Sequence, residues 1–181
     1  MKGIHLFVFL CFLKPCFSQD LLFVRSFYSD DFSHWVLQDS NHVELGSIKS
    51  FQSFKTVRDH HWNIRFGESS GSVKLHWKEN PNEWDYLFNQ ISYYAAPVWP
   101  KQFDKWRITN NSANYSLSYT VDNEGINWSL YNSKEEVIAF MYNEYSRDLR
   151  DWIVEYDAQK IDPALLLFGV FLSCKYSTKE K

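Results

Sequence analysis

The sequence predicts an all-β antiparallel domain, a sandwich or a barrel, with one apolar helix at its C-terminus. Three observations carry this. Aromatic residues are abundant, with 15 Phe, 11 Tyr and 8 Trp in 181 residues, and large flat side chains favour the pleated surface of a sheet. Short runs alternate apolar and polar positions, with a turn-forming cluster every ten or so residues. The closing run, "ALLLFGVFLSC" at 164–174, does not alternate and carries no charge.

The elements follow in order. At the start, Lys2 precedes an apolar run from Ile4 to Leu13, and Cys16 and Ser18 are small residues before Gln19. That is the pattern of a cleaved signal peptide over 1–18, too short for a spanning helix of ~20 residues. Strands are expected at 21–27, 33–38, 42–49, 52–57, 61–66, 72–78, 84–94, 103–108, 114–121, 126–131, 136–142 and 150–156. "WNIRF" sets Trp62, Ile64 and Phe66 against Asn63 and Arg65, and "VKLHW" sets Val73, Leu75 and Trp77 against Lys74 and His76. Between strands lie polar clusters such as "QDSN", "GESSG", "ENPNE", "DNEG" and "NSKE", the chemistry of tight turns. "AAPVWPKQ" at 95–102, with two prolines, is where the sheet is expected to break.

The closing run is expected to be a helix over about 162–174. Asp162 is a cap candidate, and Pro163 suits the first helical position, where its missing N–H costs nothing. Leu165, Leu166, Leu167, Phe168, Val170, Phe171 and Leu172 make it apolar on all sides, so apolar material must surround it. A membrane anchor needs about twice this length, and a lipid-anchor signal does not end in a charged tail. A helix sheathed by the sheet fits.

A strand-rich domain ending in such a helix resembles the tubby C-terminal superfamily, which includes tubby-like proteins, phospholipid scramblases and plant LURP-one-related proteins. The likeness rests on "WIVEYDAQKIDPALLLFGVFLSCKYS" at 152–177 and on the paired short strands of "KWRITNNSANYSLSYTVDNEGINWSLYNSKEEVIAFMY". It implies a closed antiparallel barrel of about twelve strands enclosing the C-terminal helix, one domain over 19–181. It also implies a site for lipid headgroups, for which Lys101, Lys105 and Arg107 are the nearest match; the residues themselves read as a solvated strand edge. Calcium, linked to scramblase-like members, would need 6–8 oxygen ligands, and Asp157 and Asp162 are too few. No cofactor or metal is expected.

Composition narrows the function. Loss of Lys2 and Lys14 with a signal peptide leaves 17 basic residues against 22 acidic, a charge of −5, which argues against nucleic acid. The same cleavage leaves Cys174 as the single cysteine, so no internal disulfide forms; within an apolar helix it reads as a small buried hydrophobe. Asn110, Asn114 and Asn127 head N-x-Ser sequons, candidate glycosylation sites on an exposed region. In "RDHHW", His60 and His61 alternate across a strand and cannot share a metal without a bulge. No HExxH, GxSxG, P-loop or CxxC site is expected, and Asp148, Asp151, Glu155 and Asp157 are scattered. The expectation is a secreted, monomeric, non-enzymatic protein that binds an unknown protein or lipid partner. Two alternatives are a lipocalin-like carrier with an open lumen and a hydrolase whose carboxylate pair assembles in space.

Overall fold

An alternating chain must cover every second side chain, and a closed barrel does so while leaving no strand edge unpaired. The computed structural model describes residues 20–53, 56–123, 125–146 and 148–178; the expected signal peptide lies outside them. The strands are β1 (Asp20–Ser26), β2 (His34–Gln38), β3 (Glu44–Ser53), β4 (Thr56–Phe66), β5 (Ser69–Trp77), β6 (Asn80–Phe88), β7 (Ile91–Pro97), β8 (Lys105–Thr109), β9 (Asn114–Val121), β10 (Ile126–Tyr131), β11 (Val137–Asn143) and β12 (Asp151–Tyr156). Each pairs antiparallel with its sequence neighbours, and β1 closes the barrel on β12, with Leu22 opposite Val154 and Val24 opposite Trp152. One helix, α1 (Pro163–Ser177), fills the interior.

Alternation decides what faces inward. Leu22, Trp35, Ile48, Ile64, Val73, Trp84, Trp106, Trp128 and Trp152 form one continuous core with α1. All seven apolar helix residues singled out from the sequence are at most 3% exposed. Phe171 meets the Trp62 and Trp84 rings edge-on at 5.5 and 5.3 Å, and Phe168 stacks on Tyr86 at 5.0 Å. Between α1 and β9–β12 a gap of about 10 Å³ remains beside Gly169, the space of at most one water.

Twelve strands match the expected number through two compensating differences. The expected strands at 42–49, 52–57 and 61–66 are two long ones, β3 and β4. The expected strand 84–94 is two, because Asn89 and Gln90 both take positive φ (47° and 67°). That is the geometry of a two-residue hairpin turn, unmarked by any glycine. Pro97 ends β7, but the sheet does not break there as expected: β7 pairs with β8, Ala96 opposite Arg107 and Pro97 opposite Trp106, and the barrel stays closed. Gly46 and Gly71 let neighbouring strands approach closely: an added Cβ would collide with the Arg65 carbonyl at one and the Leu87 carbonyl at the other.

The helix runs from one end of the barrel to the other. At its entry end lie the link to α1 and the turns β2–β3, β4–β5, β6–β7, β8–β9 and β10–β11. The other connections surround its exit end.

Candidate functional site

With the lumen filled, the concave surfaces are outside. The outward rows of β3–β6 can be read from the register: Ser47, Arg65 and Ser70 lie side by side, and next to them Lys49, Asn63, Ser72 and Leu87. These rows, with Asn89 and Gln90 at the turn, line an open concavity of about 1010 Å³. Phe51 borders both it and a second concavity of about 540 Å³ lined by His60, His61, Lys74, Leu75 and Lys78.

The polarity of this face is mixed. Arg65 is tied to Glu44 at 2.9 Å. The Phe51 and His61 rings stack at 5.4 Å, and burial, then the charge of Lys74, pulls the His61 pKa below its ordinary value. Burial and Lys49 do the same to His34, across the strand pair from Lys49. Serine and asparagine donors, cations and one exposed aromatic can bind a polar ligand; they do not form a nucleophile–base constellation.

The sequence candidates are placed apart. Lys101 sits in the β7–β8 connection with φ 67°, whereas Lys105 and Arg107 share the outer face of β8. Beside Arg107, Tyr94 donates to Glu83 at 2.6 Å, and its hydroxyl is pushed up to about 12 by burial, then by that carboxylate. Asn114 is exposed; Asn110 and Asn127 are half-buried, Asn110 closing its turn through Oδ1 and Asn127 donating to Asp122. Asp157 pairs with Lys160 at 3.1 Å. Asp162 caps α1, accepting from the Leu165 amide at 2.9 Å and from the Tyr93 hydroxyl at 2.7 Å. Cys174 is buried, and burial raises its thiol pKa well above the ordinary value, so it stays protonated.

His60 and His61 border the same outer concavity, yet no cluster of three metal-ligating side chains exists among the described residues. Asp148 and Asp151 come near each other at the exit end but serve ion pairs. Asp148 takes Arg150 at 2.6 Å, and Arg25 bridges Glu144 at 3.1 Å and Asp151 at 3.6 Å. Glu155 accepts from Tyr142. The turn "GESSG" at 67–71 spells G-x-S-x-G, against the expectation that this motif is absent. A nucleophile elbow needs a strand, a sharp turn and a helix; here the stretch joins β4 to β5, and Ser69 Oγ takes a hydrogen bond from Asn89. The outer concavity itself was missed, because it is assembled across four strands and only cross-strand register reveals it.

No family model and no curated protein matches the chain. Among solved structures, the X-ray structure of a protein from Arabidopsis thaliana matches with a TM-score of 0.55 at 9% identity, over 88% of this chain and 93% of that one. At that identity the likeness is one of fold.

Proposed function

We propose that this chain is a non-enzymatic binding protein on a tubby-like barrel, made for the secretory route, and that it engages its partner through its outer surface. The observation that carries this reading is the filled lumen: α1 leaves a gap of about 10 Å³ inside, while a concavity of about 1010 Å³ lies outside on β3–β6. The same observation counts against a lipocalin-like carrier, because ligand sites ordinarily need some 300–1,000 Å³ of enclosed space. A hydrolase is disfavoured because Asp148 and Asp151 are held by arginines rather than facing each other across a cleft.

The experiment has two parts. The full chain is expressed in eukaryotic cells, and the medium is searched for a product starting at Gln19. Purified protein is then screened against glycan and lipid arrays beside an Asn63→Trp variant, which fills the concavity from an outward position. A ligand lost in the variant is the expected result. A product retained in the cytosol overturns the secretory reading, and a ligand indifferent to Asn63→Trp, or one that is hydrolysed, overturns the binding reading.

A further inference from the structure

The two ends of the barrel expose different kinds of apolar residue. At the exit end every connection carries a large apolar side chain in solvent: Phe27 in β1–β2, Phe51 before β3–β4, Trp77 before β5–β6, Trp99 in β7–β8, Val121 before β9–β10 and Tyr145 in β11–β12. Trp99, Tyr145, Phe27 and Trp77 are 62, 60, 59 and 57% exposed. The entry end exposes Val43, Ile91 and Val137 but, among the described residues, no exposed aromatic. Six of the eight tryptophans are buried in the core, so the two left in water stand on this one rim.

From this asymmetry we propose that the exit rim is a peripheral membrane-docking surface, whose ligand is the neutral headgroup and upper acyl region of a phosphatidylcholine bilayer. Tryptophan and tyrosine have an apolar body and a polar tip, the combination that settles at a membrane interface. Each tip leaves from a different pair of strands, so the rings stand around the circumference rather than in one packed cluster. Trp99 and Tyr145 make no ring contact with another aromatic residue. A protein hot spot is a packed, desolvated patch; separated wedges around a ring suit a fluid surface that closes around each one.

Charge selects the kind of bilayer. Among the described residues, the exit connections carry Asp30, Asp31, Glu79, Asp104, Asp122, Glu144 and Asp148 against Lys78, Lys101 and Arg150, with Lys105 opening β8. That acidic balance gives no pull toward anionic lipid and leaves a zwitterionic headgroup layer as the surface the rings can enter. No helix among the described residues is long and apolar enough to cross a membrane, so attachment is by the rim. Phe51 borders both this rim and the β3–β6 concavity, but Trp77 and Trp99 line neither outer concavity, so either reading can fail without the other.

The test uses the full chain with phosphatidylcholine vesicles. Expected are a blue shift of the tryptophan emission and quenching by bromines placed shallow on the acyl chains. The Trp77→Ser/Trp99→Ser variant should lose roughly tenfold or more in partitioning, with an unchanged circular dichroism spectrum. A Val43→Ser/Val137→Ser variant at the entry end should bind as the unmodified protein does. Partitioning should not rise with added phosphatidylserine and should not fall with salt. Failure to bind phosphatidylcholine, binding that requires anionic lipid, or protection of the exposed tryptophans from acrylamide by a soluble protein partner without vesicles would each overturn the proposal.

Discussion

At the end where α1 enters the barrel, one carboxylate organises the structure. Asp162 caps the helix through its side chain and takes the Tyr93 hydroxyl of β7 on its other oxygen, while Ile161 beside it is buried. At the exit end the work is spread over many aromatic groups. Trp84 donates to Tyr176, Trp128 donates to Ser177, Tyr176 packs on Trp106 at 4.4 Å, and the Lys175 ammonium lies 5.1 Å from Trp62 and 5.3 Å from Trp84. The difference teaches where the fold is brittle. The entry end depends on a single side chain, and the exit end tolerates the loss of one contact because several remain.

The largest effect lies between the two ends. Leu166→Asp or Phe168→Asp places an unpaired charge among residues at most 3% exposed, with a penalty of several kcal/mol, on the order of the whole stability of a domain. Loss of soluble folded protein is expected. A variant with an unchanged unfolding midpoint would refute the central helix. Thiol labelling gives the same answer without a mutation: Cys174 should react only after denaturation.

Next in size is the entry end. Asp162→Ala removes the cap and leaves the hydroxyl of buried Tyr93 without its acceptor, a loss of about 2 kcal/mol. Because one carboxylate serves both partners, Asp162→Ala and Tyr93→Phe should be non-additive in a double-mutant cycle, which denaturant unfolding can measure. At the exit end, Tyr176→Phe deprives Trp84 of its acceptor and should cost only about 1 kcal/mol. Equal losses at the two ends would remove the contrast.

How much of this was legible in the sequence depends on the range of the interaction. The cap at Asp162 and the apolar run after it are local, and the strands show their alternation within a few residues, so both could be read. Asn89 tolerates positive φ but Gln90 has no such preference, and without a glycine the pair does not stand out from the run around it. The concavity on β3–β6, the Asp162–Tyr93 bond and the aromatic rim join residues far apart along the chain, so they needed register and closure. Lys101, Lys105 and Arg107, near in sequence, are divided between the β7–β8 connection and the outer face of β8.

A smaller effect of opposite sign is expected midway along the helix. A Cβ at Gly169 would meet only the Leu130 side chain, at 3.5 Å, an ordinary contact, and it would enter the small gap beside that residue. Gly169→Ala should therefore raise stability by about 0.5–1 kcal/mol, from helix propensity and the lower entropy of the unfolded chain. A lower unfolding midpoint would mean that the barrel is tighter on α1 there than the geometry indicates.

The ends should also part in their response to pH. Near the entry end, Tyr86 and Tyr93 are held protonated, chiefly by burial, with pKa values raised above the ordinary 10.0. Their contribution is complete below about pH 10 and is lost as pH rises from there, because the unfolded chain ionises first. At the exit side, His34 and His61 have pKa values lowered from 6.5, by burial first and then by Lys49 and Lys74 respectively. The unfolded chain then takes up protons more readily than the native one, so stability is full above about pH 6.5 and declines as pH falls below it. The lowered carboxyls of Asp148 and Asp157 act in a separate window, below their ordinary 3.8. Denaturant midpoints of the His34→Gln/His61→Gln variant, measured from pH 8 to pH 5, should be flatter than those of the unmodified chain, with the alkaline limb unchanged. If the acid slope survives in that variant, the histidines beside Lys49 and Lys74 do not cause it.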